Sequence, residues 1–427
     1  MTVRARAGAL GQGPFAWYVA ARTVSRAGTA LTTVALAFAV LHITGSAGAL
    51  ALVLAARTLA LLCVLPLGGI AADRVSPALV IQLAHATAFL SQGLAAYLVL
   101  SGRAEIWHLM AIEAVGGAVM GLTTPAMVAI VPLLVPPALV QQANAVLSFS
   151  RGVLDIAGPA VAGLLVVGPG PGWALLADSV TYLAAIPLLA LTRLPRGLRG
   201  EVSPQASMGR ELREGWVEFR SRTWVWLVVA VFAGVNAIAI GTHGVLGPAV
   251  AKSSERIGES GWGVALAAEA VGTLAMTVVL MRATLRRPLR TGLATIAVGA
   301  LPIAALASDQ SVVVLAVGFL LAGAGAEVFA VGWTTALQQH VPAHVLSRVS
   351  SYDALGSYLA LPLGALLYGW LGTAFDPHTV LLVSSVLFAA LTLGALTSRA
   401  VRDLTGGPTV EPLRAGHHPP IAPPREP

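Results

Sequence analysis

Six carboxylates stand inside long apolar stretches of this 427-residue chain: Glu113, Asp155, Asp178, Glu269, Glu327 and Asp353. Three arginines, Arg26, Arg57 and Arg151, share that setting. An ionisable group in an apolar interior is tolerated when it is paired, when it reaches water, or when it exchanges a proton. The chemistry open to these residues is therefore ion pairing and reversible protonation, and the second can couple a solute to a proton gradient. The six acids are not equivalent. Arg151 and Asp155 are four apart, on one helix face, and form a candidate internal pair. Asp178 and Asp353 fall near the ends of their stretches, where a carboxylate reaches water. Glu113, Glu269 and Glu327 have no cation near them in sequence. For each, a structural pairing and a transport role are both open, and Arg57 is a candidate cross-helix partner. Glu327, in GAGAEVFAVG, lies among small apolar residues and can change protonation as water or a cationic solute enters. It ranks first as proton carrier, followed by Glu113 and Asp155.

Other chemistries lack their residues. Cys63 is the only cysteine, so there is no internal disulfide and no thiolate cluster for a metal. His340 and His344 are four apart, but Pro342 between them argues for a loop and against a metal site. Lys252, the only lysine, follows Ala251, so there is no Gly-Lys-Ser/Thr phosphate loop and no ATP-driven transport by this chain. No nucleophile–base motif stands out, and no cofactor is implied.

The elements that must carry these residues are membrane helices. Hydrophobic residues make up 56% of the chain, charged residues only 11%, and mean hydropathy is +0.81. A soluble protein carries roughly 25% charged residues, and this chain has too little polar surface to cover a soluble core. Apolar segments fall at 17–42, 47–71, 78–101, 106–131, 143–168, 173–193, 224–249, 260–281, 290–307, 311–337, 347–372 and 377–398. Each is near the roughly 20 residues that cross a bilayer as a helix. None alternates as a barrel strand would. The expected fold is all-α, with twelve transmembrane helices in two six-helix halves. The first segment is too long for a signal-peptide core and reads as an uncleaved anchor.

The net charge of +7 is arranged by topology rather than for nucleic acid. One set of alternate loops, with both tails, holds Arg4, Arg6, Arg22, Arg74, Arg193, Arg196, Arg199, Arg210, Arg213, Arg220, Arg222, Arg282, Arg286, Arg287, Arg290, Arg348, Arg399, Arg402, Arg414 and Arg425. The opposite loops hold Arg103, Lys252 and Arg256. Positive residues stay inside, so both termini are expected in the cytoplasm of a cell whose inner (plasma) membrane the chain crosses. Residues 1–193 form the first half and 224–398 the second. Between them, 194–223 is a cytoplasmic linker in which Met208, Leu212, Trp216 and Phe219 recur at helical spacing, as in an amphipathic helix on the inner leaflet. Residues 399–427, rich in Pro and Gly beyond Arg402, read as a disordered tail.

The halves repeat weakly. LVPPALVQQANAVLS leads into the fifth segment and HVPAHVLSRVSSYDA into the eleventh; Val135-Pro136 matches Val341-Pro342, and Pro159 and Pro362 sit centrally in the two. After the second segment the chain reads LPLGGIAADRVSPALV. This resembles the signature loop of the major facilitator superfamily, with Gly69, Ala72, Asp73 and Arg74 where that family places them. Ser76, Pro77 and Ala78 replace its Gly-Arg-Arg, so part of the family's charge network is absent. Small residues let helices approach closely, and Asp73 can face the amide-rich N-terminus of the eleventh helix. Gly69, Asp73 and Arg74 are thus candidate gating residues. GVLDIAGPAVAG in the fifth segment resembles the family's antiporter signature through Gly152, Gly158, Pro159 and Gly163, with Ala162 in place of one glycine. In the family that signature marks exporters. The text from SRAGTALTTVALAF onward and TPAMVAIVPLLVPPALVQQANAV look like the branch that includes macrolide and siderophore exporters. One departure matters: the family's proton-antiporter arginine, four residues before a glycine, is Glu113 here, with Gly117 following, so the charge is reversed.

The resemblance implies a secondary transporter and not an enzyme. The leading expectation is proton-driven efflux of a small lipophilic compound such as an antibiotic, a drug or a natural product. Uptake of a small metabolite by a symporter is the alternative within transport, and a non-transporting membrane protein the alternative outside it. Asn236, His243 and Glu269 are the candidate polar residues of a substrate cavity otherwise expected to be apolar. The expected partners are that solute, protons and the bilayer, with no nucleic acid and no ATP, and the expected state is a monomer.

Overall fold

Each apolar segment becomes one long helix, and prolines and small polar residues set where several of them start. In the computed structural model, which describes residues 8–44, 46–192 and 208–406, the spans are α1 (Gly13–Thr44), α2 (Ala47–Arg74), α3 (Pro77–Leu100), α4 (Ile106–Leu134), α5 (Val140–Val167) and α6 (Pro171–Ala190). They continue as α7 (Thr223–Ser253), α8 (Gly258–Leu280), α9 (Pro288–Ala307), α10 (Val312–His340), α11 (Ala343–Ala374) and α12 (Pro377–Ala395). Pro77, Pro171, Pro288 and Pro377 open their helices at the first turn, where the missing N–H costs nothing. Ser76 caps α3 by accepting from the Leu79 N–H at 3.2 Å, and Asp376 caps α12 by accepting from Thr379 at 2.8 Å. Among the described residues there is no strand.

The two halves repeat as packing. In the first, α2 packs on α4, α1 on α5 and α6, and α3 on α4 and α6; each pair recurs six helices later in the second. The tightest pairs use the same device. Gly117 of α4 lies against the Arg57 carbonyl of α2, and Gly272 of α8 lies against the Leu320 carbonyl of α10, so a methyl group at either glycine would collide with backbone. Each half has its own buried apolar clusters, while Leu164, Val167, Val313 and Leu366 stay exposed on the outside, where a bilayer supplies the solvent.

The halves meet through α2 with α11, α5 with α8 and α10, and α4 with α10 and α11. The helix Met208–Ser221 precedes α7. It does not simply lie on a leaflet. Trp216 and Phe219 pack their rings on Tyr352 of α11 at 5.5 and 5.9 Å, and Tyr352 donates its hydroxyl to the Leu212 carbonyl at 2.8 Å. Residues Arg399–Arg402, expected in the tail, form a short helix whose Val401 is buried. The rest of that tail beyond 406, Arg4 and Arg6, and Arg193, Arg196 and Arg199 of the linker lie outside the described residues.

Candidate functional site

The arginine-rich ends of the helices are joined across the halves. The text AADR ends α2 and brings Asp73 against the first turns of α11, where its carboxylate accepts from the Ser347 hydroxyl and from Arg348 Nε at 2.5 Å. The approach requires a glycine, because a Cβ on Gly69 would stand 2.9 Å from the Arg348 Cα. Arg74 turns to Glu211 of the Met208–Ser221 helix at 3.1 Å, and Glu214 of that helix reaches Arg348 at 3.4 Å. Linker acids thus supply charges to this junction, and Glu211 is buried. Nothing in the sequence pattern singled out Glu211, Glu214, Ser347 or Arg348; only the docking of the linker helix brings them here.

The junction of α5 with α8 is built from neutral groups. Gln141 donates to the Ala283 and Leu280 carbonyls at 2.6 and 3.4 Å and accepts from the Leu285 N–H at 2.7 Å, and Gln142 donates to the Met281 carbonyl at 3.1 Å. Between the two junctions Asn144 donates to Gln338 at 2.8 Å and to Thr335 at 3.0 Å, while Gln338 donates to the Val128 carbonyl of α4 at 2.8 Å. This buried amide layer is the floor of a cavity.

The cavity, about 420 Å³, lies midway along the helices and is lined by both halves. Its walls differ in kind. The first half supplies Arg22, Arg26, Arg57, Arg151, Asp178 and Tyr182, whereas the second supplies Ala330, Val331, Thr334, Gln338 and Tyr358. Arg57 donates to Glu113 at 2.8 Å, Gln92 donates to the same carboxylate at 3.4 Å, and Glu113 is 1% exposed. A buried carboxylate is tolerable only when it is paired and hydrogen-bonded, and Glu113 is, by a partly exposed Arg57 and by Gln92. Thr32 donates to one oxygen of Asp178 at 2.5 Å; the other oxygen has no hydrogen-bond partner among the described residues.

Residues 19–365 match the model of the Major Facilitator Superfamily. The chain belongs to that superfamily. It is 29% identical over 347 residues to the uncharacterized MFS-type transporter y4rN of Sinorhizobium fredii, covering 78% of this chain and 82% of the relative. Its fold superposes on a bacterial homologue of the iron transporter ferroportin in an outward-facing state, with a TM-score of 0.72, 20% identity, and coverage of 90% of this chain and all of the other. It also superposes on the proton:xylose symporter XylE, with a TM-score of 0.68, 14% identity, and coverage of 90% and 95%. The E. coli fucose:proton symporter FucP superposes with a TM-score of 0.67, 14% identity, and coverage of 90% and 98%. These likenesses carry the fold alone; the family match over residues 19–365 makes the chain a secondary transporter of the superfamily, with twelve helices long and apolar enough to span a membrane among the described residues.

Several residues lie elsewhere than their sequence context implies. Arg151 does not pair with Asp155. Asp155 takes Arg26 of α1 at 2.6 Å, and Arg151 reaches Ser148 at 3.4 Å, because α1 packs on α5 and offers a cation from the side. Arg22, read as a loop residue, lies inside α1 and lines the cavity. Asp178, read as reaching water from a helix end, is 1% exposed. Asp353 accepts from the Trp333 indole at 3.1 Å. Glu327 is buried on α10 and, contrary to its sequence surroundings, faces a cation: Arg151, Ser148 and Thr277 lie around its carboxyl. Its Oε1 has no hydrogen-bond partner among the described residues. Asn236, His243 and Glu269 do not line this cavity, and the cavity is not predominantly apolar as expected: apolar and polar residues line it from both halves, and its charged residues all come from the first half. His243 instead stands edge-on to Phe319 at 5.1 Å, in the electrostatic reach of Glu269. In α5, Gly152 and Gly158 accommodate Leu274 and Ala30, but a methyl group at Gly163 would meet no neighbour.

Proposed function

We propose that the chain is a proton-driven secondary transporter that exports a small organic solute across the inner membrane. A central cavity lined by both halves, with a hydrogen-bonded floor at one end, carries this reading. The arginine-rich face is taken as cytoplasmic, with both termini on that side, by the positive-inside rule. The conformer is then closed to the cytoplasm by Asp73–Arg348, the glutamine junction and the amide layer. Breaking these contacts while others form at the far end gives alternating access. Export is supported by Gly152, Gly158 and Pro159 of α5, which resemble the superfamily's antiporter pattern. The polar first-half wall favours a second reading, uptake of a polar metabolite, since such a wall suits a solute with hydrogen-bonding groups. In either direction the solute has an apolar side that matches Ala330 and Val331.

A coupling group has to change its charge during the cycle. Glu113 and Asp155 are held by guanidinium groups and serve structure. Glu327 and Asp178 each keep one oxygen unpartnered, so the coupling role falls to them, Asp178 from within the cavity. The test is transport into and out of proteoliposomes under an imposed pH gradient, across a panel of lipophilic and amphiphilic compounds. Asp178→Asn and Glu327→Gln are expected to abolish uphill movement while downhill exchange persists. Unchanged uphill transport in both variants would end the assignment. Reporter fusions after residues 78, 105, 255 and 403 should read inside, outside, outside and inside; an external C-terminus would reverse the direction of every statement about access.

A further inference from the structure

The cationic residues of the cavity are more numerous than its ion pairs require. Four guanidinium groups line it, against one carboxylate, Asp178. Arg57 is fixed by Glu113, and Arg26 shares Asp155 in a half-exposed pair. Arg22 donates only to the Tyr18 hydroxyl, at 3.2 Å, with its guanidinium 5.9 Å from that ring. Arg151 donates only to Ser148. Among the described residues neither Arg22 nor Arg151 has a carboxylate within ion-pair distance, and Glu327, the acid that faces Arg151, does not line the cavity. Arg22 and Arg26 are one turn apart on α1, so they share a face, and α5 packs beside it with Thr23 and Ser150 hydrogen-bonded at 2.6 Å. Tyr358 of α11 lines the cavity within electrostatic reach of Arg26 and Arg151.

Resting on the transport reading above, we propose that Arg22, Arg26 and Arg151, with the Tyr358 hydroxyl facing them, bind the anionic head of a small organic acid whose apolar body lies against Ala330, Val331, Met120 and Met127. Guanidinium in the interior of a bilayer is costly unless it meets water or an anion. Its planar fork matches the two oxygens of a carboxylate or the oxygens of a phosphate, and such charge-assisted contacts outweigh neutral ones. A cationic solute has only Asp178 to meet and three arginines to repel it. A wholly apolar solute would leave all of these groups unsatisfied.

The test uses the full chain in lipid nanodiscs and two matched probe sets: indole-3-acetate, indole-3-acetamide and tryptamine, and octanoate, octanamide and octylamine. Equilibrium binding is read with labelled carboxylate, and the others serve as competitors. The carboxylates are expected to bind on the order of tenfold or more tightly than their amides, and the amines not to compete. Arg22→Gln and Arg151→Gln should each weaken carboxylate binding by on the order of tenfold, whereas Arg151→Lys keeps part of it, which separates loss of charge from loss of fold. Equal or tighter binding of amide or amine, binding unchanged in both glutamine variants, or no carboxylate binding in either set overturns the anion site. Binding needs no turnover, so the two readings fail separately. Carboxylates that bind but are never moved in proteoliposomes leave the anion site standing and remove the transport function. Amines or amides that are moved while carboxylates neither bind nor compete do the reverse.

Discussion

The junctions of α2 with α11 and of α5 with α8 occupy equivalent places in the two-fold arrangement of the halves, at the same end of the molecule, and they are joined by different chemistry. At the first, a carboxylate meets a guanidinium, Asp73 with Arg348, and a ring of further charges, Arg74, Glu211 and Glu214, surrounds them. At the second, Gln141 and Gln142 hold backbone groups of the turn after α8, and no charged side chain takes part in those bonds. A charged contact is strong when buried, can be cancelled by a proton, and fails badly when one partner is lost. An amide contact is weaker per bond but indifferent to pH and salt. Closure at this end therefore has one adjustable side and one fixed side.

The largest expected effect comes from breaking the charged side. Asp73→Asn leaves Arg348, 15% exposed, with only the longer contact to the half-exposed Glu214, and loss of one partner of a buried pair costs about 3–5 kcal/mol. Closed conformers should lose at least roughly a hundredfold in population, at about tenfold per 1.4 kcal/mol, and transport should fail although the protein inserts normally. Alkylation of Ser148→Cys in a Cys63→Ala background should become fast from the arginine-rich side. Acidification has the same sign, since the carboxylate charge is present at high pH and lost as pH falls. Slow alkylation in the variant would show that the ion pair does not hold the end shut.

Gln141→Leu removes three hydrogen bonds at once, each worth about 0.5–1.5 kcal/mol, with water free to replace part of them at the edge of the turn. The same alkylation should accelerate by roughly tenfold, and the increment should not change with salt or between about pH 5 and 8, where only histidine normally titrates. A salt-dependent increment would erase the contrast between the two sides.

Smallest is Glu214→Gln. The pair with Arg348 is long, 3.4 Å, and its glutamate is half exposed. Such pairs contribute about 0–1 kcal/mol and are screened by salt. Its effect on alkylation should be under fivefold at low salt and absent at high salt. An effect as large as that of Asp73→Asn would make the linker helix a principal part of the gate rather than its rim.

The contrast between these sides was half legible in the sequence. Asp73 stood out because AADR follows an apolar segment and carries a charge that the bilayer edge must place. Gln141 and Gln142 carry no such mark, since an amide near a helix start is ordinary. The twelve spans were legible because hydropathy reports length directly. The lining of the cavity was not, because a helix apolar nearly all round does not reveal which face looks inward. Arg22 thus read as a loop residue and Asp178 as a solvated end, while Asn236 and His243, polar and well inside α7, read as cavity residues although they do not line it. The pairing of Asp155 with Arg26 rather than Arg151 failed for a related reason: spacing of four finds neighbours on one helix and is blind to the helix beside it.

The contact of Arg57 with Glu113 constrains how the sequence can drift. Gly117 sits one turn from Glu113 and lies against the carbonyl of Arg57 itself, so the backbones of α2 and α4 are in contact here and leave no room for a side chain at 117. Either charge reversed alone places two like charges in contact beside the cavity, with Glu113 buried, an arrangement that selection would disfavour. The two reversed together, Arg57→Glu with Glu113→Arg, restore attraction across the same gap and put an arginine four residues before the glycine of α4, as in the superfamily's antiporter pattern. A lineage can pass between the two arrangements only by a paired exchange or through a neutral intermediate such as glutamine at either position, so the history of this site should be one of coupled, not single, replacements.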